Sequence, residues 1–305
     1  MSAVAVIGAG ATGLVAAGSL VDRGHDVVVL EREQRPGGRL STTQLGGARL
    51  DDAAQFIEAE DPEVAAVVEG WAERGLAYEW CRGSDPDSDG PPWFVGRGGM
   101  AALAAGLAEG FDVRLGVEVT AVVSVGSGWR LEGPGDGIDA EAVVVTSPLP
   151  EAAALVGADS APDARYRRGL TILAVLDGPS AFGEPGAATL EESPLRFVAD
   201  NRLKGISDVP ALTVHPGPDW TKDWYERSND EIAESSLAEA AEFIGDAAVV
   251  ESRVRRWNVC TPDEPAEQRL MTVSGSPPLV LAGDGFGAHV KGAILSGLAA
   301  ADAIG

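Results

Sequence analysis

Three glycines near the start of the sequence have the spacing of a phosphate-binding loop. Gly8, Gly10 and Gly13 follow an apolar run at 4–7 and precede small and apolar residues at 14–21. A strand, a glycine loop and a helix in this order can hold a pyrophosphate at the helix N-terminus, where free N–H groups and the helix dipole favour anions. We expect Gly8 to make the tight turn, Gly10 to admit the phosphates, and Gly13 to let helix and strand approach closely.

An acidic residue stands where ribose recognition requires one. A second apolar run at 26–30 ends at Glu31, 18 residues after Gly13. A carboxylate at this strand end can accept hydrogen bonds from ribose hydroxyls. A glycine-rich turn without a ligand would not need this acid, so the segment predicts a βαβ nucleotide-binding unit.

Two further segments favour FAD over NAD. Gly37-Gly38-Arg39 follows the ribose acid, and an apolar strand near the carboxyl terminus ends in Gly283-Asp284-Gly285. Both resemble motifs of the flavin amine oxidase superfamily. The resemblance implies that the glycine pair admits the cofactor, that Arg39 meets its pyrophosphate, and that Asp284 reaches the ribityl chain or pyrophosphate. The helix from Val290 would aim its positive N-terminus at the flavin ring.

The predicted cofactor site combines these motifs with a strand at 116–122, in which the resemblance implies an adenine contact from the backbone of Val119. FAD is expected to bind non-covalently, because neither Cys81 nor Cys260 lies in an attachment motif. The residues assigned to FAD are Gly8, Gly10, Ala11, Thr12, Gly13, Glu31, Arg32, Gly38, Arg39, Val119, Gly283, Asp284 and Val290.

Composition excludes several classes of function. The 305 residues carry a formal net charge of −24, which disfavours binding to nucleic acid and to anionic membranes. Two cysteines and three histidines, without paired spacing, predict no disulfide framework and no metal site. The sequence shows no signal peptide and no apolar stretch of 18 residues, so we expect a cytoplasmic protein, monomeric or dimeric.

The order of elements predicts an α/β fold. A Rossmann-like (GR2-type) FAD-binding domain is expected at 1–75, 95–150 and 270–305, and an inserted, mostly antiparallel α+β substrate domain at 76–94 and 151–269. Hydrophobic periodicity places the individual elements. The predicted strands are 48–57, 112–124, 129–132, 138–147, 170–176, 195–200, 211–215 and 249–259. The predicted helices are 14–21, 62–82, 101–107, 229–243 and 290–304.

Several later motifs together resemble the renalase-like branch of the superfamily. The sequence departs from that pattern at Ala53-Ala54, where Gly-Ala is usual, and at Asn258-Val259-Cys260, where an Arg-Tyr-Ala-like run is expected. The matching motifs are Asp51-x-x-Ala54-Gln55-Phe56, Trp93-x-Val95-x-x-x-Gly99-Met100, Asp200-Asn201-x-x-Lys204, Val214-His215-Pro-x-x-x-Trp220, Arg256-Trp257-x-x-Cys260 and Gly283-Asp-Gly-Phe286.

This resemblance implies an oxidase for the 2- and 6-dihydro isomers of NAD(P)H, with O2 as the electron acceptor. A dihydropyridine gives a hydride from carbon to flavin N5 and becomes aromatic. No proton has to be removed, so no general acid or base is assigned, and the protein would chiefly position the ring. The expected pocket residues are Gln55, Asn201, His215, Trp257 and Phe286. Candidate sites for the substrate phosphates are Arg165, Arg167 and Arg168, and Arg253, Arg255 and Arg256.

Three alternatives stay open at this stage. An amine oxidase of the same superfamily would use a lysine that reaches flavin N5 through a water, and Lys204 is the candidate for it. A non-catalytic flavin or dinucleotide sensor would bind the cofactor without turnover. A plain NAD(P) domain would use Glu31, but both Gly37-Gly38-Arg39 and Gly283-Asp284-Gly285 argue against it.

Overall fold

A computed structural model describes residues 3–85, 87–133, 135–158, 161–162 and 164–305 of the chain. The chain forms two compact units. The first unit comprises Met1–Arg39, Ala104–Arg165 and Pro262–Gly305, and the second comprises Leu40–Leu103 and Tyr166–Thr261.

Strands outnumber helices in both units. The strands are β1 (Ala3–Ile7), β2 (Asp26–Glu31), β3 (Thr42–Leu45), β4 (Ala48–Asp51), β5 (Ile57–Glu58), β6 (Ala77–Cys81), β7 (Trp93–Gly96), β8 (Asp112–Leu115), β9 (Ala121–Val125), β10 (Gly128–Glu132), β11 (Ile138–Ala140), β12 (Ala142–Val145), β13 (Tyr166–Leu176), β14 (Ala187–Thr189), β15 (Leu195–Asp200), β16 (Ala211–Pro216), β17 (Val249–Pro262), β18 (Met271–Gly275) and β19 (Pro278–Leu281). The helices are α1 (Ala11–Asp22), α2 (Pro62–Glu73), α3 (Met100–Leu107), α4 (Leu149–Val156), α5 (Pro218–Trp224), α6 (Asn229–Glu239), α7 (Ala241–Ile244) and α8 (His289–Ile304).

A six-stranded sheet forms the centre of the first unit. Its order is β18-β19-β12-β1-β2-β8, and its strands pair in parallel except at the edge strand β18. Continuous apolar strands suit a parallel sheet that is covered on both faces, and the side chains of β12 are buried throughout. Helix α8 crosses α1 so closely that a Cβ at Gly297 would lie 2.6 Å from the carbonyl oxygen of Thr12.

The second unit is built on a five-stranded sheet of order β14-β15-β16-β13-β17, beside the hairpin β3–β4 and the small sheet β5-β7-β6. Helices α5 to α7 cover an apolar core that includes Leu170, Val198 and Tyr225. The hairpin packs on the sheet through a second cluster that includes Leu50 and Leu173. This packing holds the polar end of β4 against strands β13, β15 and β16.

The predicted fold class is confirmed: the chain combines a Rossmann-like domain with several antiparallel sheets. The compact units differ from the predicted domains: residues 40–75 and 95–103 group with the second unit, and residues 151–165 and 262–269 group with the first. The reason for the first difference is the hairpin β3–β4, whose apolar face is buried on the second unit's sheet. The functional domain boundaries stay a prediction.

Five predicted elements were wrong in extent. The strand predicted at 138–147 is two strands, because β11 pairs with β10 whereas β12 pairs with β1. The helix predicted at 62–82 ends at Glu73, because Gly75 (φ +74°) turns the chain and β6 then pairs with β7. The strand predicted at 48–57 ends at Asp51, because the Gln55 side chain takes the Asp51 carbonyl as its hydrogen-bond acceptor. Gly116 (φ +70°) divides the predicted strand at 112–124. The helix predicted at 229–243 breaks at Ala240.

In the part of the chain that the structure describes, no helix combines the length and the apolar character needed to cross a bilayer. Over the same residues, no three His, Cys, Asp or Glu side chains gather as metal ligands would.

Candidate functional site

The glycine loop between β1 and α1 needs two of its glycines for the fold itself. Gly8 has φ +101°, and a Cβ there would lie 2.6 Å from Oγ1 of Thr146. A Cβ at Gly13 would lie 1.9 Å from the carbonyl oxygen of Gly8, which permits α1 to start directly against the loop. Both positions therefore match the packing roles predicted from the sequence.

Gly10 differs from its neighbours, because a Cβ there would meet no protein atom within 4 Å. It precedes α1, whose first residues are Ala11 and the buried Thr12. The second glycine loop runs beside it: the Gly37 N–H donates to the Ala9 carbonyl at 2.8 Å, and a Cβ at Gly38 (φ +56°) would lie 3.7 Å from the Gly10 Cα. Two glycine-rich loops thus flank open space at a helix N-terminus, an arrangement that fits a pyrophosphate.

Glu31 links the glycine loop to the end of β2. The side chain is buried, and its carboxylate accepts hydrogen bonds from the Ala9 N–H at 2.7 Å and from the Glu33 N–H at 2.9 Å. Each carboxylate oxygen has two acceptor positions, so both can take a further donor such as a ribose hydroxyl. The neighbouring Arg32 forms an exposed ion pair with Glu151 at 3.1 Å.

Arg39 and Asp284 meet in the first unit, with 2.5 Å between Nη1 and Oδ2. Asp284 starts a 3₁₀ turn that follows Gly283, and the Gly283 N–H donates to Oγ of Ser296 in α8. Val290 lies half-buried in the first turn of α8. The arginine from one motif and the carboxylate from the other are therefore side by side, each with surface left for a ligand.

Val119 lies in the irregular segment between β8 and β9 rather than in a strand. It lines a cleft of about 220 Å³, together with Leu30, Val117, Leu131 and Gly133. Leu30 is the residue before Glu31 in β2. Charged side chains also line the cleft, among them Arg114, Glu118 and Glu132, and Leu30 places it next to the ribose acid.

In the second unit, Lys204 and Asp51 form an ion pair with no exposed side-chain surface, and 2.8 Å separates Nζ from Oδ2. Lys204 also donates to the Gln55 side-chain oxygen at 3.3 Å, and Asp51 accepts from the Met100 N–H at 2.8 Å. The Lys204 ammonium lies 5.2 Å from the centre of the Trp80 ring. Burial lowers the pKa of Lys204, and the neighbouring Asp51 charge opposes that shift.

Asn201 is fully buried and serves the same cluster. Its side-chain oxygen accepts from the Asp51 N–H at 3.2 Å, and its amide nitrogen donates to Oγ1 of Thr213 at 3.0 Å. Thr213 in turn donates to the Asp51 carbonyl at 2.9 Å, and the Gln55 amide donates to the same carbonyl at 2.8 Å. Two of the predicted pocket residues, Gln55 and Asn201, are thus joined through Asp51.

The other two pocket residues of this unit, His215 and Trp257, are joined through Thr171. Trp257 Nε1 donates to Thr171 Oγ1 at 3.2 Å, and Nδ1 of His215 lies 3.4 Å from that oxygen. Thr171 itself donates to the Asp52 carbonyl at 2.8 Å. The Asp52 carboxylate pairs with Arg255 at 3.2 Å, and the Arg255 guanidinium lies 4.3 Å from the centre of the Trp257 ring.

Burial lowers the pKa of His215 to about 4, with the positive charge of Lys204 adding to the effect and Asp52 opposing it. The ring is therefore neutral at neutral pH. Its Nε2 atom is buried without a hydrogen-bond partner. Phe286, the fifth predicted pocket residue, lies buried in the first unit beside Asp284.

A family model decides the class of this protein. Residues 76–305 match the model described as "Flavin containing amine oxidoreductase", and residues 6–71 match an NAD(P)-binding Rossmann-like domain. The chain belongs to the flavin-containing amine oxidoreductase family. FAD is accordingly its cofactor, and the glycine loops, Glu31 and Arg39 of the first unit fit that group.

Curated relatives match a short part of the chain. The chain is 42% identical over 66 residues to a putrescine oxidase from Kocuria rosea, and 39% identical over 66 residues to protoporphyrinogen oxidase 2 from Arabidopsis thaliana. These matches cover 22% of this chain but 14% and 13% of the relatives' lengths. The chain therefore matches well under two thirds of the length of these relatives.

Solved structures extend the likeness to the whole fold. A double mutant of putrescine oxidase aligns over 99% of both chains with a TM-score of 0.72 at 17% identity. An oxidoreductase from Methanosarcina mazei aligns over 97% of this chain and 99% of its own, with a TM-score of 0.64 at 15% identity. At these identities the comparison establishes the flavoprotein fold and leaves the substrate to be argued from side chains.

Analysis of the sequence missed the connecting residues of the second unit. Asp51, Asp52 and Thr171 were not assigned to the site, although an Asp pair at the end of an apolar strand is a usable signal. Some of the arginines predicted to bind substrate phosphates instead contact other protein groups. Arg256 donates to the carbonyls of Tyr225 and Arg227, and Arg168 pairs with Glu226.

Proposed function

We propose that this flavoprotein is an oxidase that takes a hydride from the 2- or 6-dihydro isomers of NAD(P)H, with O2 as the final electron acceptor. Bound FAD supplies the hydride acceptor and the route for two electrons to O2. The substrate carbon loses the hydride and the ring becomes an aromatic pyridinium, so no proton has to be taken from the substrate. The protein's task is then to bind and orient a flat ring.

The observation that carries this proposal is the protonation state of the second unit's candidate groups. The pKa of about 4 leaves His215 neutral and a weak base, and Lys204 is buried in its pair with Asp51. His215 is therefore a poor base near pH 7, and the Lys204 ammonium is held by Asp51 and Gln55. Hydride transfer from a dihydropyridine requires no such base, and these groups suit it.

Trp257 and Arg255 supply a second supporting observation. The indole is half-buried, with a guanidinium 4.3 Å from its ring centre. Because Arg255 is already paired with Asp52, it holds the indole in place while its charge remains near the ring. A flat aromatic surface beside a cation suits the pyridine ring and the phosphates of a dinucleotide.

We assign the first unit's residues to FAD in the same proposal. The phosphates would lie between Gly10 and Gly38 near Arg39, and the ribose would bind Glu31. The adenine would occupy the cleft beside Val119. Asp284 would take a donor from the ribityl chain, and the N-terminus of α8 would face the flavin ring. The contacts and open space described above support the phosphate, ribose and adenine positions, and the family resemblance supports the last two.

Amine oxidation is the second candidate function. The family match supports it, and a net charge of −24 attracts cationic amines. An alkylammonium must lose a proton before it can give a hydride, so this function needs a base or a bound water. Lys204 would be the residue to hold that water.

The two functions can be distinguished by testing two substrate types on the wild-type protein and on one double variant. Wild-type protein and the Lys204→Gln, Asp51→Asn double variant would each be mixed anaerobically with dihydropyridine isomers and with putrescine. We expect the isomers to bleach the flavin absorbance of both proteins and putrescine to leave it unchanged. Bleaching by putrescine that is lost in the double variant would support the amine oxidase instead.

A further inference from the structure

The Thr171 hydroxyl lies within hydrogen-bond distance of both His215 and Trp257. It is fully buried in β13. Its hydroxyl has a single proton, which it donates to the Asp52 carbonyl at 2.8 Å. Toward its other neighbours the oxygen can therefore act only as an acceptor, and it already accepts from the Trp257 N–H.

This arrangement sets the tautomer of His215. Nδ1 lies 3.4 Å from an oxygen that can only accept, so a proton on Nδ1 is favoured. A neutral ring with its proton on Nδ1 leaves a lone pair on Nε2, and that atom is buried without a partner.

We propose that Thr171 is a positioning residue that fixes His215 with its proton on Nδ1, so that Nε2 accepts a hydrogen bond from an amide N–H of the ligand. The ligand class that fits is a carboxamide, the group carried by a nicotinamide ring. This inference rests on the proposed function for its ligand. The tautomer itself does not depend on that function.

An acceptor at Nε2 of His215 selects for ligands that carry an N–H group. A buried lone pair without a donor costs free energy, which a ligand N–H removes. A carboxylate in place of the carboxamide has no proton to donate at neutral pH and would leave Nε2 unsatisfied. Loss of one such hydrogen bond corresponds to roughly a five- to tenfold change in affinity.

The first test is ¹⁵N NMR of the FAD-loaded protein labelled at histidine, in which the three histidines are assigned with a His215→Asn variant. We expect His215 to show protonated Nδ1 and unprotonated Nε2. Thr171→Val, which removes the hydroxyl, should populate the Nε2-protonated form, and Thr171→Ser should keep the wild-type pattern. A proton on Nε2 in wild type, or an unchanged pattern in Thr171→Val, would overturn the inference.

The second test compares the binding of NAD⁺ with that of nicotinic acid adenine dinucleotide, which carries a carboxylate instead. Wild type and Thr171→Ser should prefer NAD⁺ about tenfold, and Thr171→Val should lose most of that preference. Equal preference in all three proteins contradicts the ligand assignment. If neither dinucleotide binds, both the ligand assignment and the proposed function fail, whereas the NMR result still decides the role of Thr171.

Discussion

Arg39 and Asp284 are 245 positions apart in the sequence, yet their side chains form an ion pair with 2.5 Å between Nη1 and Oδ2. The pair joins the second glycine loop to the strand end that precedes α8. Two motifs that were independent signals in the sequence thus converge in the first unit. This convergence is the strongest structural support for one continuous cofactor site.

Arg39→Met should weaken FAD binding about 10- to 100-fold, because a guanidinium contributes charge-assisted hydrogen bonds to a pyrophosphate. The measurement is fluorescence titration of the apoprotein with FAD. Arg23→Met, which removes an arginine paired with Asp302 in the same unit, should bind FAD like wild type. Equal affinities for both variants would refute the assignment of Arg39.

Alanine substitutions can separate the cofactor's space from the fold's own packing. Gly10→Ala should weaken FAD binding at least tenfold and change the free energy of unfolding by less than about 1 kcal/mol, because its Cβ meets no protein atom. Gly13→Ala should cost about 1–3 kcal/mol, because its Cβ would overlap the Gly8 carbonyl.

Gly18→Ala is the matched control for these two variants. Gly18 lies in the interior of α1, and a Cβ there also meets nothing within 4 Å. It should stabilise the protein by about 0.5–1 kcal/mol and leave FAD affinity unchanged. FAD titration and urea unfolding of all three variants check the set. Wild-type FAD affinity in Gly10→Ala would show that the phosphates lie elsewhere.

The first unit could be predicted closely because its signals are local. A strand, a glycine loop and an acid at fixed spacing determine one geometry, and the positions of Gly8, Gly13 and Glu31 follow from it. The pairing of Arg39 with Asp284 could be expected only through the resemblance, since residues this far apart carry no periodic signal.

The second unit was less predictable because its polar side chains meet across several strands. Asn201, Gln55 and Lys204 were chosen one at a time from motifs, but Asp51 joins them through contacts between β4, the β15–β16 connection and α3. Thr171 lies in an apolar strand, and no motif in the sequence marks its hydroxyl as part of a site. Partners of this kind depend on which strands become neighbours.

Lys204→Met should lower the free energy of unfolding by about 3–5 kcal/mol, because it leaves the Asp51 carboxylate buried without its cation. Adding Asp51→Asn should recover part of that loss, since the amide oxygen can still accept from the Met100 N–H. Urea unfolding followed by far-UV circular dichroism measures both. A loss below about 1 kcal/mol in the single variant would contradict the buried pair.

The stability of the protein should fall between pH 6.5 and pH 4 partly through His215. The folded-state pKa of about 4 is below the ordinary 6.5, so in this window the unfolded chain binds the proton and the folded protein does not. The resulting loss of stability is zero above pH 6.5 and grows to about 3 kcal/mol as the pH falls toward 4. Urea unfolding at several pH values measures the dependence.

His215→Asn supplies the comparison for that dependence, because asparagine does not titrate. The variant should lose less stability than wild type as the pH is lowered from 6.5 to 4. If both proteins show the same pH dependence, the ring of His215 is not the neutral group that the proposed function and the tautomer assignment require.

The most direct test of the proposed function is the visible spectrum of the purified holoprotein during anaerobic titration with an isomerised NADH mixture. We expect the 2- and 6-dihydro isomers to bleach the oxidised flavin stoichiometrically, and admitted O2 to restore its absorbance. Pure 4-dihydro NADH should leave the spectrum unchanged. Flavin that stays oxidised with every isomer would contradict the proposal.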